Sequence, residues 1–475
     1  FGIKPFYYSE AEDGSGLMFG SEIKSFLAHP KFHKAVNHNA LRPYLTLQFS
    51  ATDETFFEGV YKLPAAHCFT YDLATHTMDV RRYWDCDFSE IDKPFEEYVD
   101  ELDKVVHESV SAHRIADVKV GSFLSGGVDS SYIAACLMPD KTFSVGFDYN
   151  KFNETNYAKE LSDKLGIENY RKMISANEFF EALPEIQYHM DEPQSNLSSV
   201  PLWFLAQMAA EQVTVVLSGE GADEIFGGYA WYEDNPSVAK YKRMVPFGVR
   251  RALGKAAKHM PYFKGHNFLM KGAEMAEEYF VGQALVWPER EVSSVLRPEY
   301  DKGEGAFELA APIYARVSDK SELIRKQYLD MNMWLPGDIL LKADKMCMAH
   351  SLELRVPFLD RRVMEFAEHI PDRYRVNENG NKLVLRHAAN KSLPDEWATR
   401  PKVGFPVPMI YWLREEKWYN WVKEYFTAPW ASEFFDCDVL MGLLDEHYEG
   451  KAQNQRKIYT PLVFLIWYKR YFIDE

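Results

Sequence analysis

The run from Val118 to Leu124 is apolar and alternating, and it stops at Ser125-Gly126-Gly127-Val128-Asp129-Ser130. This reads as a strand, an anion-holding turn and the opening of a helix. Glycines lack a Cβ, so backbone N–H groups come close to an anion and positive φ costs little. The serine hydroxyls add donors, and a helix opening near Ser130 adds the positive end of its dipole. Asp129 does not suit a bare anion site, because a carboxylate repels phosphate. It fits if it holds a Mg²⁺ that the phosphates share. The Lys and Ser/Thr that end a Walker A loop are absent, so this is a different nucleotide loop.

The surrounding pattern sets the fold class. Beyond Val118 to Leu124, strands are expected at Thr142 to Phe147 and Val213 to Leu217. Helices are expected at Ser130 to Leu137, Asn153 to Leu165 and Pro201 to Glu211. Such alternation builds a parallel sheet covered by helices, an α/β fold, with ligands at the carboxyl ends of its strands. All three strands end in small or polar residues. Residues 1–88 read instead as short strands (Ile3 to Tyr8, Gly16 to Gly20, Ala65 to Tyr71, Met78 to Trp84), with short helices at Ser21 to His29 and Asn39 to Phe49. A polar linker, Phe88 to Lys93, leads into an amphipathic helix that starts at Pro94 and Phe95. The expected domains are therefore 1–88 and 94–475, and helical patterns dominate after about residue 270.

The 475 residues suffice for two domains or more. A net charge of −17 argues against nucleic acid or an anionic membrane as the main partner. The five cysteines, at 68, 86, 136, 347 and 437, form no CxxC pair, which points to a reducing cytoplasm. No apolar run reaches the roughly 18 residues that a bilayer span needs.

A second glycine-rich stretch follows the third strand: Ser218-Gly-Glu-Gly-Ala-Asp-Glu-Ile-Phe-Gly-Gly-Tyr229. By itself it reads equally well as a polar loop capping a helix. Beside Asp129 it supplies a second acid, and two acids from separate loops are the minimal Mg²⁺–triphosphate arrangement. The Ser125–Ser130 loop resembles the pyrophosphate loop of the PP-loop ATP pyrophosphatases, which cleave ATP between its α and β phosphates to adenylate a substrate. The Ser218–Tyr229 stretch narrows the resemblance to the glutamine-hydrolysing asparagine synthetase family. Further matching blocks are Asp338–Lys345, Ser351–Asp360, Asn381–Arg386 and Arg400–Phe405. Phe1–Tyr8 and Phe19–Leu27 look like the second half of that family's αββα, Ntn-type glutaminase domain.

The resemblance implies aspartate, ATP and ammonia or glutamine as substrates, and ATP with Mg²⁺ in the site. It places the departing pyrophosphate on Ser125, Gly126, Gly127 and Ser130, and Mg²⁺ on Asp129 and Asp223. Leu124, Val145, Ser218 and Gly219 would line the adenosine site. Glu220 would serve the adenylate chemistry, where a carboxylate can also take a proton from attacking ammonia. Lys382, on one helix face with Arg386, would stabilise the pentavalent α-phosphate. Asp344, Lys345, Glu353 and Arg355 would shape or brace the amino-acid pocket. Two other readings stay open: a relative that adenylates another carboxylate, as β-lactam synthetase does, and a nucleotide-binding protein without catalysis. A homodimer is compatible with all three readings.

The chain opens at Phe1, without a methionine and inside what reads as a strand. The expectation is a fragment beginning after the family's nucleophilic N-terminal cysteine, hence without glutaminase activity. Cys68 and Cys86 have no positional match to that nucleophile. His29, His33 and His38 lack zinc-site spacing. The basic run from Lys240 to Lys264 reads as a solvated face or a surface for an acidic partner. Aromatics at Trp418 to Phe426 and Phe464 to Phe472 read as core packing. Asp191-Glu192-Pro193 reads as either a capping turn or a neighbour of the ATP site.

Overall fold

The structure, a computed structural model, describes all residues except 12–15, 149–153, 234, 261–263, 283, 401–405 and 475. The block Arg400–Phe405 therefore lies outside the described residues except for Arg400, as does the expected helix start at Asn153.

The first part of the chain builds strands β1 (Tyr7–Glu10), β2 (Leu17–Gly20), β3 (Tyr61–Lys62), β4 (His67–Asp72) and β5 (Thr77–Arg82), with helix α1 at Leu41–Leu47. β2, β1 and β3 form one antiparallel sheet, while β4 and β5 pair as a hairpin. The long amphipathic helix α2 spans Phe95–His113. Pro94 stands just before it as the cap, and Tyr98, Val99, Leu102, Val106 and Val110 turn inward.

The second part is centred on a parallel five-stranded sheet. Its members are β6 (Val120–Phe123), β7 (Lys141–Phe147), β8 (Glu168–Ile174), β9 (Val215–Leu217) and β10 (Glu353–Arg355), in the order β10-β9-β6-β7-β8. Helices α3 (Val128–Leu137), α4 (Thr155–Leu165), α5 (Ala176–Met190) and α6 (Ser199–Ala210) make the crossovers. The expected α/β class and the three expected strands are present. Both edge strands escape the sequence pattern for physical reasons. β8 reads Glu-Asn-Tyr-Arg-Lys-Met-Ile and is half-exposed; it is strand because it pairs with all seven residues of β7. β10 is three residues long, and its Glu353 and Arg355 take part in the ladder against Val215 and Leu217.

Past β9 come α7 (Ala222–Phe226) and the trio α8 (Pro236–Met244), α9 (Phe247–Lys258) and α10 (His266–Ala273), then further helices to the C-terminus. One continuous apolar cluster runs from Tyr7 and Phe56 through the sheet to Phe464 and Trp467. The aromatic-rich helices are core, as expected: Trp418 stacks on Phe180 with ring centres 4.1 Å apart, and Phe56 meets Trp467 edge-on at 5.4 Å. Among the described residues no helix is long and apolar enough to cross a membrane.

Candidate active site

A cavity of about 380 Å³ opens at the carboxyl ends of β6, β7 and β9. This is where adjacent crossovers diverge and leave a crevice. β6 delivers Leu124 to Ser130 and β7 delivers Val145. β9 delivers Ser218, Gly219 and Glu220, while Asp223 reaches in from the first turn of α7. Lys382 enters from a distant part of the chain.

The loop after β6 is held by its own side chains. The Ser130 hydroxyl accepts from the Ser125 N–H at 3.1 Å and meets the Ser125 hydroxyl at 3.0 Å, and that hydroxyl accepts from the Gly127 N–H at 3.3 Å. Gly126 adopts φ +83°, where a side chain would be strained. Gly127 is extended and caps α3. The expected ligand residues Ser125, Gly127, Asp129 and Ser130 line the cavity together with Leu124, Val145, Ser218, Gly219, Glu220, Asp223 and Lys382. Gly126 does not line it. Its role here is the turn itself, and its carbonyl accepts from Arg400 Nη1 at 3.1 Å.

The centre of the site is a three-residue charge cluster. Lys382 Nζ lies 2.6 Å from Asp129 Oδ2 and 2.7 Å from Asp223 Oδ1. Burial would lower the Lys382 pKa, but the two carboxylates outweigh it and hold the ammonium above its ordinary value. Lys382 is not on a helix face with Arg386, as its spacing suggested. It stands just before the helix Leu383–Ala389 in a left-handed conformation, φ +52°. Such a backbone is uncommon for a residue with a Cβ, and it aims the side chain between the two acids. Gly228 leaves room for that side chain: a Cβ there would sit 1.9 Å from Lys382 Cε.

Two further cations complete the wall. Arg400 Nη2 lies 2.7 Å from Glu154, and its guanidinium sits 3.6 Å above the Tyr157 ring. Arg386 donates to the backbone carbonyls of Asn381, Ala398 and Arg400 and so fixes the segment carrying Lys382. Nothing in the local pattern singles out Glu154. Its signal, an acid just before a helix opposite an arginine 246 residues away, exists only in the folded chain.

The four residues expected to shape or brace an amino-acid pocket do not line this cavity. Lys345 is fully buried against Asp191 (2.5 Å) and reaches Glu22 at 2.9 Å. Asp344 meets Lys4 at 2.5 Å. Arg355 donates to the carbonyls of His113 and Ile115 and lies 2.7 Å from Glu353. All four brace the fold. Asp191 ends α5, away from the cavity. Its carboxylate accepts from the N–H groups of Ile23 and Lys24 at 3.0 and 3.2 Å. Burial alone would raise its pKa, but the ammonium groups of Lys345 and Lys24 outweigh it and bring it down to about 2. Glu192, also buried, accepts from the Phe56 N–H at 3.0 Å. Burial pushes the Cys86 thiol up, away from the thiolate form a nucleophile needs. Among the described residues no group of three His, Cys, Asp or Glu is arranged to hold a metal, His29, His33 and His38 included.

The parallel sheet, the two glycine loops and the acids between them define a nucleotide-binding domain of the PP-loop type, joined to an N-terminal β-rich domain. Residues 101–469 match the asparagine synthase family, and residues 1–84 match the glutamine amidotransferase domain. Asparagine synthetase [glutamine-hydrolyzing] 1 of Bacillus subtilis is 37% identical, over 100% of this chain and 76% of that protein. A putative asparagine synthetase [glutamine-hydrolyzing] of Mycobacterium tuberculosis is 36% identical, over 98% of this chain and 73% of that protein. Asparagine synthetase [glutamine-hydrolyzing] 3 of Bacillus subtilis is 29% identical, over 85% of this chain and 63% of that protein. The chain belongs to the asparagine synthase family.

Proposed function

We propose that this chain is a carbon–nitrogen ligase that uses ATP to convert aspartate to asparagine. A β-carboxylate oxygen of aspartate attacks the α-phosphorus of ATP. The bond to the β-phosphate breaks, giving β-aspartyl-AMP and pyrophosphate. Ammonia then attacks the acyl carbon, AMP leaves with the bonding pair, and the nitrogen gives up a proton. We assign that proton to Glu220, whose carboxyl group belongs to the same cavity.

The observation that carries this reading is the convergence of Lys382 on Asp129 and Asp223 between the two glycine loops. A buried ammonium beside the pyrophosphate loop is placed to oppose charge that builds on phosphate oxygens during transfer. The N–H groups and hydroxyls of Ser125 to Ser130 would hold the departing pyrophosphate. Leu124, Val145, Ser218 and Gly219 would hold adenosine. Mg²⁺ fits the donors present: Asp129 Oδ1 is buried without a hydrogen-bond partner, and two carboxylates with nearby hydroxyls are the hard oxygen ligands that it takes. When bound it would neutralise phosphate charge, with Asp129 and Asp223 as its protein ligands. We place the working domains at 1–88 and 94–475. A cytoplasmic setting is supported by five cysteines that are all free thiols.

The test is aspartate-dependent exchange of pyrophosphate into ATP, followed by asparagine formation with ammonia supplied directly. The second assay reads the synthetase half alone. Exchange that ignores aspartate but responds to another carboxylate would show a ligase of different specificity. ATP binding without any exchange would show a nucleotide-binding protein.

A further inference from the structure

The stretch from Asn235 to Ala273 contributes no residue to the cavity, and it is strongly basic. It carries nine Lys and Arg and no Asp or Glu, in a protein of net charge −17. It folds into α8, α9 and α10, and α9 packs chiefly on α10. The packing of α9 runs against the usual order of sizes. Its buried residues are Gly254 and Ala257, and a Cβ on Gly254 would sit 2.2 Å from that of Ala273. The larger apolar residues point outward. Val249, Ala252, Leu253 and Ala256 recur at i, i+3, i+4 and i+7, and all four are exposed. Met244 and Met260, more than half exposed, extend this stripe beyond both ends of the helix.

The nine cations divide into three sets, the first being Arg250 alone, which donates to the backbone carbonyls of Val245 and Gly272. Lys242 and Arg251 are tied to Glu322 and Glu278. Lys240, Arg243, Lys255, Lys258, Lys264 and Lys271 are exposed and have no ion-pair partner among the described residues. An exposed apolar stripe in a segment that also presents exposed cations is the chemistry that meets an anionic, apolar-backed surface.

We infer that the outward face of α9 docks on an anionic lipid surface, its stripe entering the headgroup boundary and its cations meeting lipid phosphates. Charge complementarity selects this occupant. A second copy packed stripe to stripe would bring two segments of the same positive charge together, and a nucleic acid would leave the stripe in water. The net charge of −17 does not forbid contact, because charges farther away than about 8 Å are screened at physiological salt. The sequence expectation of no membrane partner rested on the net charge of the whole chain, which averages over this basic patch. With one short stripe and no second anchor, the contact is reversible.

The full chain is co-sedimented with vesicles of phosphatidylcholine alone, or containing about 30% phosphatidylglycerol, at about 0.05 M and 0.5 M salt. Binding to the anionic vesicles at low salt is expected, at least about tenfold weaker at high salt or on neutral vesicles. Leu253→Asp, and separately Lys255→Glu with Lys258→Glu, should each lose that binding while keeping ammonia-dependent activity, which also reports that they fold. No binding to anionic vesicles at low salt overturns the inference, as does binding that survives both variants. Salt-sensitive self-association without vesicles, abolished by the same variants, overturns it in favour of a second copy.

Discussion

At the scale of single residues, the site rests on one ammonium group between two carboxylates. Removing it leaves Asp129 and Asp223 facing each other without a cation. Lys382→Ala is expected to lower aspartate-dependent pyrophosphate exchange by at least about 100-fold, with ATP still bound. Lys382→Arg should not restore it, because Gly228 lies against the Lys382 side chain and a fork-shaped guanidinium needs more width. Exchange within about tenfold of the parent in either variant would remove Lys382 from its assigned role. A second residue reports on pH. Burial pushes Asp330 up to about 7, against the Tyr232 hydroxyl that donates to it at 2.6 Å, the Trp231 indole and the Lys326 charge. Its pKa in the unfolded chain is about 3.9, so between about pH 4 and 7 the native state holds a proton the unfolded state has lost. Stability from this group is therefore full below pH 4, falls as pH rises to 7, and is flat above. Asp330→Asn removes that slope. Its stability relative to the parent should rise by a few kcal/mol, on the order of the linkage energy, between pH 5 and 8 in urea unfolding. A difference that does not change with pH would contradict the burial argument.

At the scale of elements, periodicity identified what is internal to a segment and missed what a neighbour imposes. β6, β7 and β9 carry apolar runs that end at residues lining the cavity, so their existence and the place where they end were legible. β8 has no such run; its identity comes from hydrogen bonding to β7 along its full length. Glu353 and Arg355 read as either shaping or bracing a pocket; they lie in the edge strand β10, with Arg355 donating to a carbonyl at the end of α2. Lys382 was found by its motif, but its placement outside the helix depends on a left-handed backbone that spacing does not encode. The loop after β9 tests the point. Gly228→Ala should leave the helices intact by circular dichroism, yet displace Lys382 and cost at least about tenfold in exchange rate. Full activity would mean that the side chain has another route into the site.

At the scale of the whole molecule, the N-terminal domain is part of the synthetase's support. Asp191 accepts from Ile23 and Lys24, Gln48 Nε2 donates to Asp338 at 2.7 Å, and the Tyr44 hydroxyl donates to the Thr460 carbonyl at 2.9 Å. The apolar cluster crosses the same boundary. A chain starting at residue 94 would leave Phe464 and Trp467 without Phe56 and Phe57, and Lys345 without Glu22. It should aggregate on expression or melt well below the parent; a monomer melting at the parent temperature would contradict this. Local spacing carries the α/β class, the two glycine loops and the acids beside them: apolar alternation, glycines at a turn, acids within a few positions; Glu220 and Lys382 came from the family resemblance. Which charges meet is settled by the folded chain. Lys382 lies 253 positions from Asp129, and Lys345 lies 154 from Asp191. Ion pairs across such separations follow from how the crossovers stack on the sheet, which no local pattern carries.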